Sequence, residues 1–166
     1  TDLVMRDIKD QIRVIGSFDS EAKYLAVPGP GSEERTLKSV LETTGRGYFA
    51  VALVDYGTEP TNHAFMDISA AAKELEEWGR PLLVVFASEE DYRKFRPEHF
   101  NLPSTVCFGI DADGSMRKMV ATEMKLDKGG RLPLIVLADT FNRVVFFSQG
   151  YSIGLGDRLV LTSKAL

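Results

Sequence analysis

Four short stretches of this chain are apolar without a break: Tyr48–Val54, Leu82–Phe86, Leu134–Leu137 and Val144–Phe147. A strand with one wet face alternates polar and apolar residues, whereas a strand covered on both faces does not. The four runs therefore predict a sheet with helices packed on each side. The intervening segments supply them. Thr61–Trp78 carries Phe65, Ile68, Ala72 and Leu75 at helical spacing, and Gly79 follows where a helix end takes a positive φ, with Pro81 soon after. Ser88–Phe95 predicts a short helix with Ser88 as N-cap and three acidic residues in its first turn. Thr105–Ile110 reads as a further strand and Ser115–Met124 as a short helix. Asp139–Asn142 is short enough only for a hairpin turn, and Leu155–Leu166 closes the chain as a helix.

Upstream the signal weakens. Residues 1–10 are polar, Gln11–Gly16 and Ala22–Val27 read as short strands, and Pro28–Ser32 is a loop. Glu33–Thr44 stays open between a helix using Leu37, Val40 and Leu41 and a strand over Ser39–Glu42. The expected division is an N-terminal β extension over residues 1–21 and one α/β domain over 22–166, a mixed central sheet flanked by helices.

A chain of 166 residues that is 44% hydrophobic can bury one good core. Its 20 basic and 24 acidic residues give a net charge of -4 with no Lys/Arg run, which argues against a nucleic-acid footprint. No apolar run approaches the roughly 20 residues of a membrane span. The single cysteine, Cys107, allows no internal disulfide. The chain begins at Thr1, its first methionine is Met5, and the expectation is a processed protein or a piece of a longer one.

The junction between the first core run and the long helix reads Asp55-Tyr56-Gly57-Thr58-Glu59-Pro60-Thr61, and a later strand opens with Arg131-Leu132-Pro133-Leu134. With this element order, the chain resembles the thioredoxin-like family, in its longer, exported bacterial branch. Thr58-Glu59-Pro60-Thr61 lies over that family's Cys-Gly-Pro-Cys, with the proline in register and threonine at both cysteine positions. Leu132-Pro133 lies over the family's cis-proline. The resemblance implies a periplasmic or cell-envelope location. It also implies a groove lined by Tyr56, His63, Leu132 and Pro133, where backbone pairs with an extended peptide. The stretches Thr44–Tyr48, Glu59–Ala64 and Ala138–Gly156 also resemble the C-terminal part of secreted bacterial proteins with an upstream transglutaminase-like domain.

Dithiol chemistry needs a thiolate and a second sulfur to resolve the mixed disulfide. Threonine supplies neither, so the expectation is a redox-inactive binding or supporting module, with no catalytic residue, cofactor or metal. Its partner would be an extended peptide or an upstream domain of the same protein. Thr58 is expected to N-cap the helix through its hydroxyl. The rival reading is a thiol-dependent oxidoreductase or peroxidase relative acting through Cys107, but that residue lies in a strand-like run and is expected to be buried and slow to react. Asp111-Ala112-Asp113-Gly114-Ser115 is similar to the opening of a calcium loop, but its glycine comes fourth and position twelve is Thr122, so it reads as a turn. His63 reads as a solvated helix residue and His99 as loop. Gly154-Leu155-Gly156 opens the last helix rather than a nucleotide site.

Overall fold

A computed structural model describes residues 16–17, 22–27, 33–37, 48–139, 143–151 and 154–165. Eight strands form one sheet: β1 (Gly16–Ser17), β2 (Lys23–Val27), β3 (Glu33–Thr36), β4 (Tyr48–Val54), β5 (Leu82–Phe86), β6 (Val106–Ile110), β7 (Leu134–Asp139) and β8 (Arg143–Gln149). Their order across the sheet is β1-β8-β7-β4-β5-β6-β2-β3. The central trio β4, β5 and β6 is parallel and every other pair is antiparallel. Among the described residues five α-helices accompany it: α1 (Glu59–Ala70), α2 (Ala72–Trp78), α3 (Glu89–Lys94), α4 (Ser115–Glu123) and α5 (Leu155–Ala165).

The unbroken apolar runs are explained by two cores. Along β4, Phe49, Val51 and Leu53 point to one face, where they meet Leu83, Val85, Leu134 and Val136 beneath Met116 and Val120 of α4. Ala50, Ala52 and Val54 point to the other, against Ala64, Phe65 and Ile68 of α1, Leu75 of α2, and Leu155 and Leu159 of α5. Every residue of β5 is buried, because both faces are covered. On the α1 side the core is aromatic: the Phe65 ring lies 4.9 Å from Phe95 and 5.2 Å from Phe100, and Phe86 lies 5.0 Å from Phe95.

Most boundaries lie within two residues of those expected. Gly79 ends α2 at φ 72, and Ser88 Oγ accepts the Asp91 N–H at 3.1 Å as the N-cap of α3. Three expectations are corrected. The stretch Thr61–Trp78 is not one helix: it starts at Glu59 and bends at Ala71, whose φ of -96 and ψ of 8 leave the helical range. Ala71 keeps its own two bonds, donating to the Asp67 carbonyl and accepting the Leu75 N–H, each at 3.0 Å. Glu33–Thr36 is a strand, paired to β2. His99 lies in a short 3₁₀ turn, Pro97–His99. The expected strand at Gln11–Ile15, the helix or strand at 38–44 and the turn tip at 140–142 lie outside the described residues, although β7 and β8 do pair as a hairpin.

Candidate functional site at the carboxyl edge of the sheet

Register places the three parallel strands level at one edge: Val54 pairs with Phe86, and Phe86 with Ile110. The segments that leave them, starting at Asp55, Ala87 and Asp111, therefore meet along one rim. In open α/β sheets this is the rim where ligands bind. β7 runs the other way and begins there, with Leu134 opposite Leu53. Continuing that ladder brings Pro133 and Leu132 alongside Val54 and Asp55, which is how the two marked segments of the sequence come together.

Asp55 organises the first segment. Its Oδ1 accepts hydrogen bonds from both the Thr58 and the Thr61 hydroxyls, each at 2.6 Å. Thr58 is exposed, whereas Thr61 is buried, with 1% of its surface accessible. Thr58 is the N-cap of α1 by backbone conformation, and its carbonyl accepts the Asn62 N–H at 3.0 Å. The expected side-chain cap is absent, because its hydroxyl turns back to Asp55. Pro60 sits in the first turn, where a missing N–H costs nothing. Glu59 is exposed and lies 3.3 Å from His63 Nε2. Asp55 was not singled out in the sequence, although its spacing of three and six residues from the two threonines is the signal that marks it.

The other expected groove residues divide. The Leu132–Pro133 peptide bond is cis, Pro133 is buried, and Leu132 is half-buried at the rim. Tyr56 is 44% exposed. The His63 ring stacks on Tyr151 with centroids 5.1 Å apart. Tyr151 in turn belongs to a joint between α1 and α5 that the sequence did not reveal. Its hydroxyl bonds Asp67 at 3.2 Å, and the Gly156 N–H donates to the same carboxylate at 3.0 Å. Burial and the Asp67 charge push the Tyr151 phenol up from its ordinary value.

The Asp111 segment is a helix cap. The two carboxylate oxygens of Asp111 accept the Met116 and Arg117 N–H groups at 3.0 and 2.9 Å, and Asp113 accepts that of Ser115. Asp113 is held below the usual carboxylate range by its bonds to Ser115. No cluster of three metal-ligating side chains occurs among the described residues.

Cys107 lies elsewhere and corrects one expectation, because the residue is exposed although its sulfur is partly buried. It pairs with Leu83, which pairs with Val51, so it sits three residues short of the rim and two strands over. That is about 10 Å along the strands and about 10 Å across them. Its sulfur is banked 3.9 Å from the Leu82 carbonyl. Withdrawal from water pushes the thiol up, with Arg35 pulling in the opposite sense.

Comparison with solved structures fits this geometry. A putative thiol:disulfide interchange protein DsbE from Chlorobium tepidum aligns at a TM-score of 0.64 and 15% identity, covering 91% of this chain and 97% of that one. The bacterioferritin comigratory protein of Xanthomonas campestris aligns at 0.66 and 13%, covering 92% and 98%. The fold is thioredoxin-like. An exposed lipoprotein thioredoxin from Streptococcus pneumoniae aligns at 0.57 and 14%, covering 86% and 99%. No family model matches the sequence, and no curated protein matches it. No helix of the described residues is long and apolar enough to cross a membrane.

Proposed function

We propose that this thioredoxin-like domain is redox-inactive and holds an extended peptide, as a binding or supporting module of a larger exported bacterial protein. The observation that carries the reading is the Asp55 carboxylate with Thr58 and Thr61 both bonded to it. The positions that carry sulfur in the resembled family are here two hydroxyls tied to an internal acceptor. Neither can attack a disulfide, and no thiol stands within reach of them. Cys107 serves the rival enzyme reading poorly, since register separates it from the rim and its pKa moves away from the thiolate. Docking of an anion at the start of α1 is disfavoured, because Asp55 already supplies a negative charge there.

Strand addition beside Leu132 needs only backbone groups. An envelope location is supported by the names of two structural neighbours, an interchange protein and an exposed lipoprotein. The likeness to domains that follow a transglutaminase-like domain makes a domain of the same protein a candidate source of the peptide.

The test has two arms. With dithiothreitol as donor, the purified domain should reduce a protein disulfide no faster than a protein-free blank, and turnover above that blank would sink the redox-inactive reading. In the second arm, amide spectra recorded with a random heptapeptide pool should move Leu132 and the residues of 55–58 first. Shifts confined to other faces of the molecule would refute the groove.

A further inference from the structure

Beside Leu132 the rim holds a small pocket of about 140 Å³. Leu53, Val85 and Leu132 line it on the α4 face of the sheet, with Ala87, Asp111 and Arg117 beside them. Small-molecule and cofactor sites run to roughly 300–1,000 Å³, so this space is too small for one and suits a single side chain. Its charged neighbours are already engaged. Both Asp111 oxygens are taken by backbone N–H groups, and the Arg117 guanidinium donates to the Gly130 carbonyl at 3.0 Å. The space thus offers no free charge to a polar guest, and its surface favours an apolar one.

The backbone above it is open. Arg131 uses its carbonyl on Gly150 N–H and its own N–H on Gln149, and Leu134 re-enters the ladder. Leu132, between them, has no hydrogen-bond partner for its N–H or carbonyl among the described residues. Unpaired backbone next to a sheet is a template for another strand. Directly opposed residues on paired strands place their side chains on the same face. Leu132 projects into the pocket wall, so the peptide residue facing it would project there too.

We infer that this pocket is an anchor subsite for one branched aliphatic side chain, valine, isoleucine or leucine, of an extended peptide paired to Leu132. The inference rests on the groove reading above and adds its specificity. It assigns to Leu53 and Val85 a role in selecting the peptide, separate from their part in the core.

A display library of random heptapeptides, selected on the intact domain, tests it. One position should be enriched in Val, Ile or Leu. A synthetic heptapeptide with the consensus should lose about tenfold or more in affinity when that residue becomes alanine. Ala87→Phe, at an exposed position, should fill the mouth and abolish the aliphatic preference. In the wild type the methyl resonances of Leu53 and Val85 should shift with the peptide, a readout that does not depend on the variant folding. Peptides that move the Leu132 amide without any aliphatic preference would overturn the subsite and leave the groove standing. A preference that survives unchanged in folded Ala87→Phe would overturn it as well. A selection that yields no binder would overturn both.

Discussion

The Thr58 and Thr61 hydroxyls share one acceptor, yet the two side chains sit in different surroundings. Thr61 is buried, so Thr61→Val removes a hydroxyl bonded to a carboxylate inside the fold and should cost about 1–2 kcal/mol in urea unfolding. Thr58 is exposed and is not a side-chain cap, so Thr58→Ala should cost no more than about 0.5 kcal/mol. The opposite ranking would mean that the Asp55 network is misread. At Cys107, access and ionisation pull apart. A thiol reagent should label the native protein without unfolding, because the residue is exposed. The rate should keep rising with pH past the usual thiol range, because the folded pKa is raised and the reactive thiolate is withheld until that higher pH. A rate already at its plateau near neutral pH would contradict this. Thr58, Pro60, Thr61 and Pro133 were marked by the resemblance of two short segments to a family pattern. Asp55 stayed hidden because its role is a side-chain network, which no single-residue propensity encodes.

Among the elements, α1 and α5 meet more closely than ordinary side chains allow. A Cβ on Gly156 would lie 3.1 Å from both the Asp67 Cβ and its carbonyl oxygen. Gly156→Ala must shift α1 against α5 by a few tenths of an ångström and strain the bond from Gly156 N–H to Asp67, at a cost of about 1–3 kcal/mol by thermal unfolding. An unchanged midpoint would show that the joint yields freely. Nothing local in Gly154-Leu155-Gly156 announces this. The glycine is required by a helix 89 residues earlier in the chain. The bend at Ala71 was equally illegible, because neither proline nor glycine marks it. By contrast, β4, β5 and the ends of α2 and α3 were legible to within a residue, since apolar runs and caps are written locally. β3 was missed because its four residues, Glu33–Thr36, carry no apolar pattern, and only pairing with β2 makes them a strand.

For the whole molecule, the spacing of the two threonines can be put to use. Their hydroxyl oxygens lie within 2.6 Å of the same atom and so within twice that distance of each other. Thr58→Cys with Thr61→Cys should therefore form an intramolecular disulfide under mild oxidation, seen as the loss of two thiols while Cys107 stays free. A folded double variant that retains three titratable thiols would mean that these positions do not face one another. Because Val54, Phe86 and Ile110 end level, the loops that begin at Asp55, Ala87 and Asp111 leave from one straight sill, and the relief of the rim is drawn by those loops rather than by the strands beneath.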